Sequence, residues 1–550
     1  MELKQHIKSA NNNTNRMKKI LLIVLIVILG PQISNAGTYY VATTGNNNYA
    51  GSSSAPWKTV AYGVSKLKSE DELRIKAGTY SENKITVLAN YITIIADDPN
   101  NRPTIDFNDK NNVNSRYVEA YGRSYFTWDG VNIKNAGGAD KGAINLGFWY
   151  ASNTGTRATG ITIKNCDITY AYNAAIRWMH CDNILIENVN TYECAQMNAD
   201  RKNTNNHPHV ILGFWSNNVI HRNCRVIRNH GEGVGPYVGC TNWIIENCEV
   251  ADNYKINVYV DSEIGSCIVR NNLLYNTGYY VAGGTTNQQP SGVRVANEVS
   301  DFVGWGGVSD PSKYLVQNVD IYNNIILNCN TGIEIFPYNN GPFQLTNSTI
   351  SNNTIVGTVD NTSGIYITAP GVKEIRNNIV YNTYGITLNQ YAVFSGNYIN
   401  NPQFINGTGF AADNYKLASN SPCINAGTTI SKFSTDYEGN LRPAGNAYDI
   451  GAYEFVAIAN SLINPFKNLS DEIILTQNAT DRNLYIRIKN STQNKNTRIS
   501  IVDLNGKNIV EKNFFADEPI ELSTQNIHAG VYLVVVKNNQ YTSTKKFIIK

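Results

Sequence analysis

A three-residue pattern, an apolar residue, any residue and then asparagine, returns along this chain at nearly constant spacing. It limits the fold more than any other feature. It reads Ile163-Lys164-Asn165, Ile186-Glu187-Asn188, His221-Arg222-Asn223 (with His221 the one polar departure), Ile245-Glu246-Asn247 and Val269-Arg270-Asn271. It continues as Ile321-Tyr322-Asn323, Ile350-Ser351-Asn352 and Ile375-Arg376-Asn377. Uninterrupted steps are 23, 24, 24 and 25 residues, and a second asparagine often lies five residues earlier (Asn183, Asn218, Asn242, Asn318, Asn347). A period of this size means stacked repeats. Asparagine tolerates left-handed backbone angles at turns, and its amide can bond to the identical amide one repeat away. Val and Ile alternate between the asparagines, as in strands with one face inward. Helical periodicity is confined to about Val60–Leu67. The leucine framework of a leucine-rich repeat is missing, and a propeller needs longer units. The expected fold is all-β: a right-handed parallel β-helix followed by a small C-terminal β-sandwich.

Two gaps break the period. The step from Asn188 to Asn223 is 35, which places an insertion near Gln196–His209. The step from Asn271 to Asn323 is 52, read as two coils with Gly-rich loops at Gly278–Pro290 and Gly304–Pro311. Insertions in solenoids tend to build the binding face. Of the nine cysteines, Cys166, Cys224 and Cys248 each follow an asparagine of the repeat, with Cys329 a looser case. Equivalent positions stack, so these are expected to be small core residues rather than disulfides or zinc ligands.

Charge and termini divide the chain further. The net +3 hides an uneven distribution: 1–36 carries +4, the tail from Val456 carries +4, and 37–455 carries −5. An acidic body argues against nucleic acid as partner. Met17-Lys18-Lys19, the apolar run Ile20–Leu29 and Ser34-Asn35-Ala36 read as a cleavable export signal over 1–36, too short for a stable membrane span. The expected divisions are an N-terminal cap and first coils at 37–110, the β-helix at 111–455, a linker at 456–463 and a separate module at 464–550. A monomer is expected.

Resemblances accompany these readings. Thr38–Asn46, Ala55-Pro56-Trp57-Lys58-Thr59 and Leu73–Tyr80 resemble the N-terminal cap and first coil of many right-handed β-helix proteins, several polysaccharide-lyase families among them. Asp436–Asn440, Arg442-Pro443 and Tyr448–Glu454 resemble a closing motif of exported Bacteroidetes β-helix proteins. Asn464-Pro465-Phe466, Val502–Gly506, Gly530-Val531-Tyr532 and the basic end Lys545–Lys550 resemble the type IX secretion C-terminal sorting domain. That likeness implies passage through the type IX secretion machinery, removal of the domain, and release or attachment to the outer cell surface.

Aligning strands by alternation gives an outward column of Asn145, Arg177, Ile211, Gly235, Tyr259, Arg294, Glu334 and Tyr366, flanked by Tyr237 and Asp261. Gly213, Gly233 and Gly235 are read as places where a glycan approaches closely. Arginines neutralise uronate carboxylates and tyrosines stack on sugar faces. With the lyase-like scaffold, this points to β-elimination on a uronate-containing polysaccharide. In that reading Arg177 and Arg294 neutralise the carboxylate, Lys255 is the base, and Tyr259 or His209 protonates the leaving oxygen. Asn145, Glu232, Tyr237, Asp261, Glu334 and Tyr366 are the expected substrate contacts. His230-Gly231-Glu232-Gly233 is either a tight turn or part of the site, and His207-Pro208-His209 lies in the insertion. No cofactor is certain from the sequence and Ca²⁺ is the one candidate, with Asp252, Asp261 and Glu263 as its prospective oxygen ligands outside any recognisable loop motif. The one Asp-Asp pair, Asp97-Asp98, lies in the N-terminal cap, which disfavours a two-carboxylate hydrolase. The rival class is a non-catalytic adhesin or glycan-binding solenoid.

Overall fold

A computed structural model describes residues 36–147, 157–201, 208–279, 289–297, 315–335, 344–359, 362–369, 372–388 and 393–456, together with parts of 473–549. The expected export signal up to residue 35, His207, the 304–311 loop and the expected linker beyond Val456 lie outside these residues. The chain divides into two units, Met1–Val456 and Ala457–Lys550.

The first unit is a parallel β-helix of three long sheets. Sheet I has 13 strands from Thr38–Val41 to Val393–Ser395, sheet II has 11 from Ile85–Thr86 to Ile386–Leu388, and sheet III has 11 from Thr79–Ser81 to Ile379–Tyr381. Turn chemistry explains the winding. All eight repeat asparagines, Asn165 to Asn377, hold φ between 52° and 55°. That left-handed region costs most side chains energy and costs asparagine little. The amides then join coils: Asn188 donates to Asn165 at 3.0 Å, and Asn242 to Asn218 at 3.0 Å. A second, buried ladder runs Asn272, Asn324, Asn353, Asn378, Asn397, each amide donating to the next at 2.9–3.0 Å. In the preceding coils the same column holds Cys248 and Cys224. All nine cysteines are buried and free, as expected of core residues.

The N-terminal end is closed by the helix Val60–Lys66. Thr59 caps it by accepting from Tyr62 N, and Glu82 accepts from Val60 N at 2.5 Å. Its buried face (Val60, Gly63, Val64) joins the core with Val41 and Leu73. Towards the other end, Arg442 and Glu454 form a fully buried ion pair at 2.6 Å, and Asp436 accepts from three backbone N–H groups. These residues are the closing motif, and they fasten the segment to the coils through Asn323.

Two expectations about register need correction. The 52-residue step is one coil, because Arg270 pairs directly with Tyr322. Most of its extra length falls outside the described residues, and chain length alone cannot distinguish a long connection from a second coil. The outward column holds Leu212, not Ile211, because Arg177 pairs with Leu212 and Ile176 with Ile211. Gly213 faces inward beneath the Trp178 indole, where a Cβ would overlap the ring. The repeated Leu-Gly-Phe-Trp is thus offset by one residue between its two copies.

The second unit contains a three-stranded and a four-stranded antiparallel sheet. Leu484, Ile486, Ile499, Ile501, Leu522, Val534 and Ile549 form its buried core.

Candidate functional site

Sheet II carries the column to its site. Its outward residues run Glu119, Asn145, Arg177, Leu212, then Tyr259, Arg294, Glu334 and Tyr366, with Gly235 between Leu212 and Tyr259. Each step is about 4.8 Å. Gly233 and Gly235 leave no opening for a ligand: a Cβ on either would overlap the carbonyl of Asn257 or Tyr259 on the next strand. These glycines serve coil packing, which replaces the expectation of a close glycan approach there.

Six of the expected residues come together around His209. His209 Nε2 lies 2.9 Å from Glu232 Oε2, with the side chains 11% and 5% exposed. Glu232 is thus the carboxylate partner of the His209 ring. A carboxylate at Nε2 fixes the tautomer and leaves Nδ1 as the nitrogen able to take a proton. The imidazole lies parallel to Tyr259 with centroids 5.7 Å apart and tilts against Tyr237 at 4.6 Å. One coil further, Arg294 pairs with Glu334 at 2.8 Å, and Ser291 Oγ donates to the same carboxylate at 3.1 Å. Burial alone would lower the Arg294 pKa, yet nearby Glu334, Tyr259 and Glu232 raise it above its ordinary value. The guanidinium therefore stays charged, on the strand next to Tyr259 and within electrostatic reach of Glu232.

Arg177 stands about three strands away, roughly 14 Å from Tyr259. It lies over the Phe214 ring at 5.5 Å and donates to the Asp140 carbonyl at 3.2 Å. Burial pulls its pKa down to about 10 against the opposing pull of Asp140, Tyr121 and Tyr237. Lys141 sits over Tyr121 at 5.4 Å, its pKa lowered by burial and then by Arg177. Lys84 pairs with Glu119 at 2.8 Å and covers Tyr117 at 5.3 Å. The sequence reading missed this basic, aromatic end of the face because Lys84, Tyr121 and Lys141 lie outside the aligned column or before its first member.

Other expected site residues take different positions. Lys255 opens its strand with φ 59°, and its ammonium rests over Tyr254 at 5.6 Å. Asn145 is buried, and its amide braces a turn through Gly142 and Val118, so it is a structural brace rather than a substrate contact. Asp261 is also buried and accepts from Ser262 at 2.8 Å. Tyr366 follows Glu334 one strand on, half-buried. The suggested Ca²⁺ ligands do not assemble: Asp252 accepts from Thr277 N and Oγ1 at 2.7 and 2.8 Å. Among the described residues, no group of three His, Cys, Asp or Glu side chains is placed to hold a metal. No helix among them is long and apolar enough to cross a membrane.

Comparisons with known proteins add the following. Pectate lyase Pel9A aligns with 77% of this chain and 97% of its own, at 18% identity and TM-score 0.47. An alginate lyase from Paenibacillus sp. str. FPU-7 covers 66% of this chain and 99% of its own, at 11% identity and TM-score 0.39. A GH136 lacto-N-biosidase from Eubacterium ramulus covers 66% and 68%, at 13% identity and TM-score 0.39. No curated protein matches the chain. Residues 478–550 match the secretion system C-terminal sorting domain, so the chain is an exported one, secreted or attached to the outer cell surface.

Proposed function

We propose that the β-helix is a polysaccharide lyase that cleaves a uronate-containing glycan by β-elimination at His209. The observation that carries this reading is the His209–Glu232 pair lying parallel to Tyr259, with Arg294 alongside. Elimination needs a base for the C5 proton, a donor for the leaving O4 and positive charge near the uronate carboxylate. His209 Nδ1 takes the proton, the C5–H electrons form the C4–C5 double bond, and the C4–O4 bond breaks. Tyr259 O–H protonates the departing O4, and Arg294 stabilises the resulting phenolate until solvent returns its proton. Glu232 holds the imidazole and offsets the imidazolium charge. Further along the face, Arg177 and Lys141, seated over the Phe214 and Tyr121 rings, are the cations for neighbouring uronate carboxylates.

Protein spanning Gly37–Val456 is to be incubated with a panel of acidic polysaccharides while the ultraviolet band of unsaturated uronates is followed. A rise that is lost in His209→Gln supports elimination at this centre. Retardation in glycan gels with no rise on any polymer replaces the enzyme with a binding solenoid.

A further inference from the structure

Of the tripeptide His230-Gly231-Glu232, the reaction outlined above uses only the last residue. Its surroundings give the other two a task. The 35-residue coil leaves the stack after Glu193 and returns at Pro208-His209, and both limbs rest on this tripeptide. On the departing limb, His230 Nε2 meets Glu193 Oε2 at 2.7 Å, His230 N donates to Cys194 O at 2.9 Å, and Asn198 donates to His230 O at 2.9 Å. Arg201 anchors the same limb through the carbonyls of Asn229 and Asp252 at 2.7 and 3.1 Å. On the returning limb, Glu232 N donates to Pro208 O at 3.0 Å, and the Glu232 carboxylate holds His209. Gly231 lies between them: a Cβ there would overlap the Pro208 carbonyl and reach the Ala195 Cβ at 3.0 Å.

The result is two reciprocal imidazole–carboxylate pairs. In one the tripeptide supplies the histidine and the departing limb the carboxylate; in the other the roles are exchanged. The His230 ring is turned onto Glu193 and takes no part in the reaction outlined above. We propose that the His230–Glu193 pair is a positioning device for His209, fixing the tripeptide from which Glu232 orients the imidazole. This rests on the lyase reading for its kinetic consequence but not for its structural one.

The full chain is compared with Glu193→Ala, Glu193→Gln and Gly231→Ala on the acidic polysaccharide the wild type cleaves. Histidine-selective carbon labelling supplies a second readout, the His209 resonance being assigned by its loss in His209→Gln. Displacing a reacting group by an ångström costs about a hundredfold, so Glu193→Ala is expected to lower kcat about tenfold to a hundredfold. KM should stay within about twofold and Tm close to wild type, since binding and folding are not the affected steps. The His209 resonance moves in Glu193→Ala. Glu193→Gln recovers most of the turnover, because its amide oxygen still accepts from the His230 N–H. Gly231→Ala tests the same lever without altering the pair, and serves alongside Glu193→Gln if Glu193→Ala does not fold. Wild-type kcat with an unmoved His209 resonance overturns the proposal, as does a kcat loss that merely tracks lost folded protein. If the wild type cleaves no acidic glycan, the resonance alone decides: a moved His209 sustains positioning while only the lyase reading falls.

Discussion

The outward columns of sheets I and II share one scaffold and one strand spacing, yet they treat charge in different ways. On sheet I the in-register residues are Asp129, Lys164, Glu187, Arg222, Glu246 and Arg270, with the sign alternating at every coil. Neighbours pair directly: Lys164 with Asp129 at 3.2 Å, and Arg222 and Arg270 with Glu246 at 2.6 and 2.5 Å. On sheet II, charged, aromatic, apolar and glycine positions follow one another without alternation. The charges of the sheet I ladder are spent largely on one another, which leaves little for a ligand. On sheet II, His209 has a second ring nitrogen beyond its carboxylate pair, and Tyr259 stacked on it gives this face a chemistry the ladder lacks. Regular charge alternation is a mark of scaffold in a solenoid, and a break in it is where a site is to be sought.

The sharpest test exchanges the same chemical change between the columns. Glu232→Gln is expected to lower kcat about a hundredfold or more, as loss of a positioned acid–base pair does. Glu246→Gln should leave kcat within about twofold, since it touches no reacting group. Steady-state kinetics on the cleaved glycan check both, and equal losses would end the distinction between ladder and site.

The ladder's own contribution should appear in stability. Burial alone would raise the Glu246 pKa, but hydrogen bonds from Arg222 and Arg270 bring it below the ordinary 4.5. A depressed carboxylate stabilises the fold above its unfolded pKa, and that stabilisation fades as pH falls through the folded pKa. Glu246→Ala is therefore expected to cost up to about 3 kcal/mol near neutral pH, the scale of hydrogen bonds to a charged group. The cost should shrink below about pH 4.5. Denaturant melts at pH 7 and pH 3.5 measure it; an equal cost at both would remove the ion ladder as the cause.

How much was readable follows from how local each feature is. The winding was legible because a left-handed turn is a property of Asn165, Asn223 or Asn271 alone. The sheet I ladder is also written in the middle residue of each repeat, Lys164, Glu187, Arg222, Glu246 and Arg270. The register slip at Ile211 was not legible, because it depends on the Trp178 indole filling the space over Gly213 from the neighbouring coil. The His209–Glu232 pair left a weak signal, two ionisable residues 23 positions apart, one coil's length. Glu193 and His230 lie 37 apart, and no repeat spacing joins them.

A second histidine lies within sheet I and provides a smaller contrast. His221 takes the inward position filled elsewhere by Ile186 and Ile245, between Trp178 and Trp243. Neither ring nitrogen has a hydrogen-bond partner among the described residues, and burial lowers its pKa from 6.5 to about 3. Below pH 6.5 the unfolded chain takes up a proton that the folded chain refuses, so stability falls until about pH 3 and then levels off. At about 1.4 kcal/mol per unit, His221→Ile should gain about 2 kcal/mol over wild type at pH 5 relative to the difference at pH 8. Melts across that range test it. A pH-independent difference would mean that His221 is not the acid-sensitive group.

The smallest effect is expected at Lys255, the residue whose place in the sequence suggested a base. Its ammonium lies over the Tyr254 ring, so its removal takes a cation–π contact from the corner of the coil, and the reaction proposed at His209 assigns it no proton. Contacts of this kind contribute about 0.5–2 kcal/mol, the more as they are desolvated, and Tyr254 is fully buried. Lys255→Ala should therefore lower stability by about that amount and leave kcat within about twofold, while His209→Gln abolishes most turnover. Should Lys255→Ala remove turnover and His209→Gln spare it, the base belongs at the strand's entrance and the stacked pair on sheet II is packing. The two substitutions side by side thus decide which of the two coils carries the chemistry.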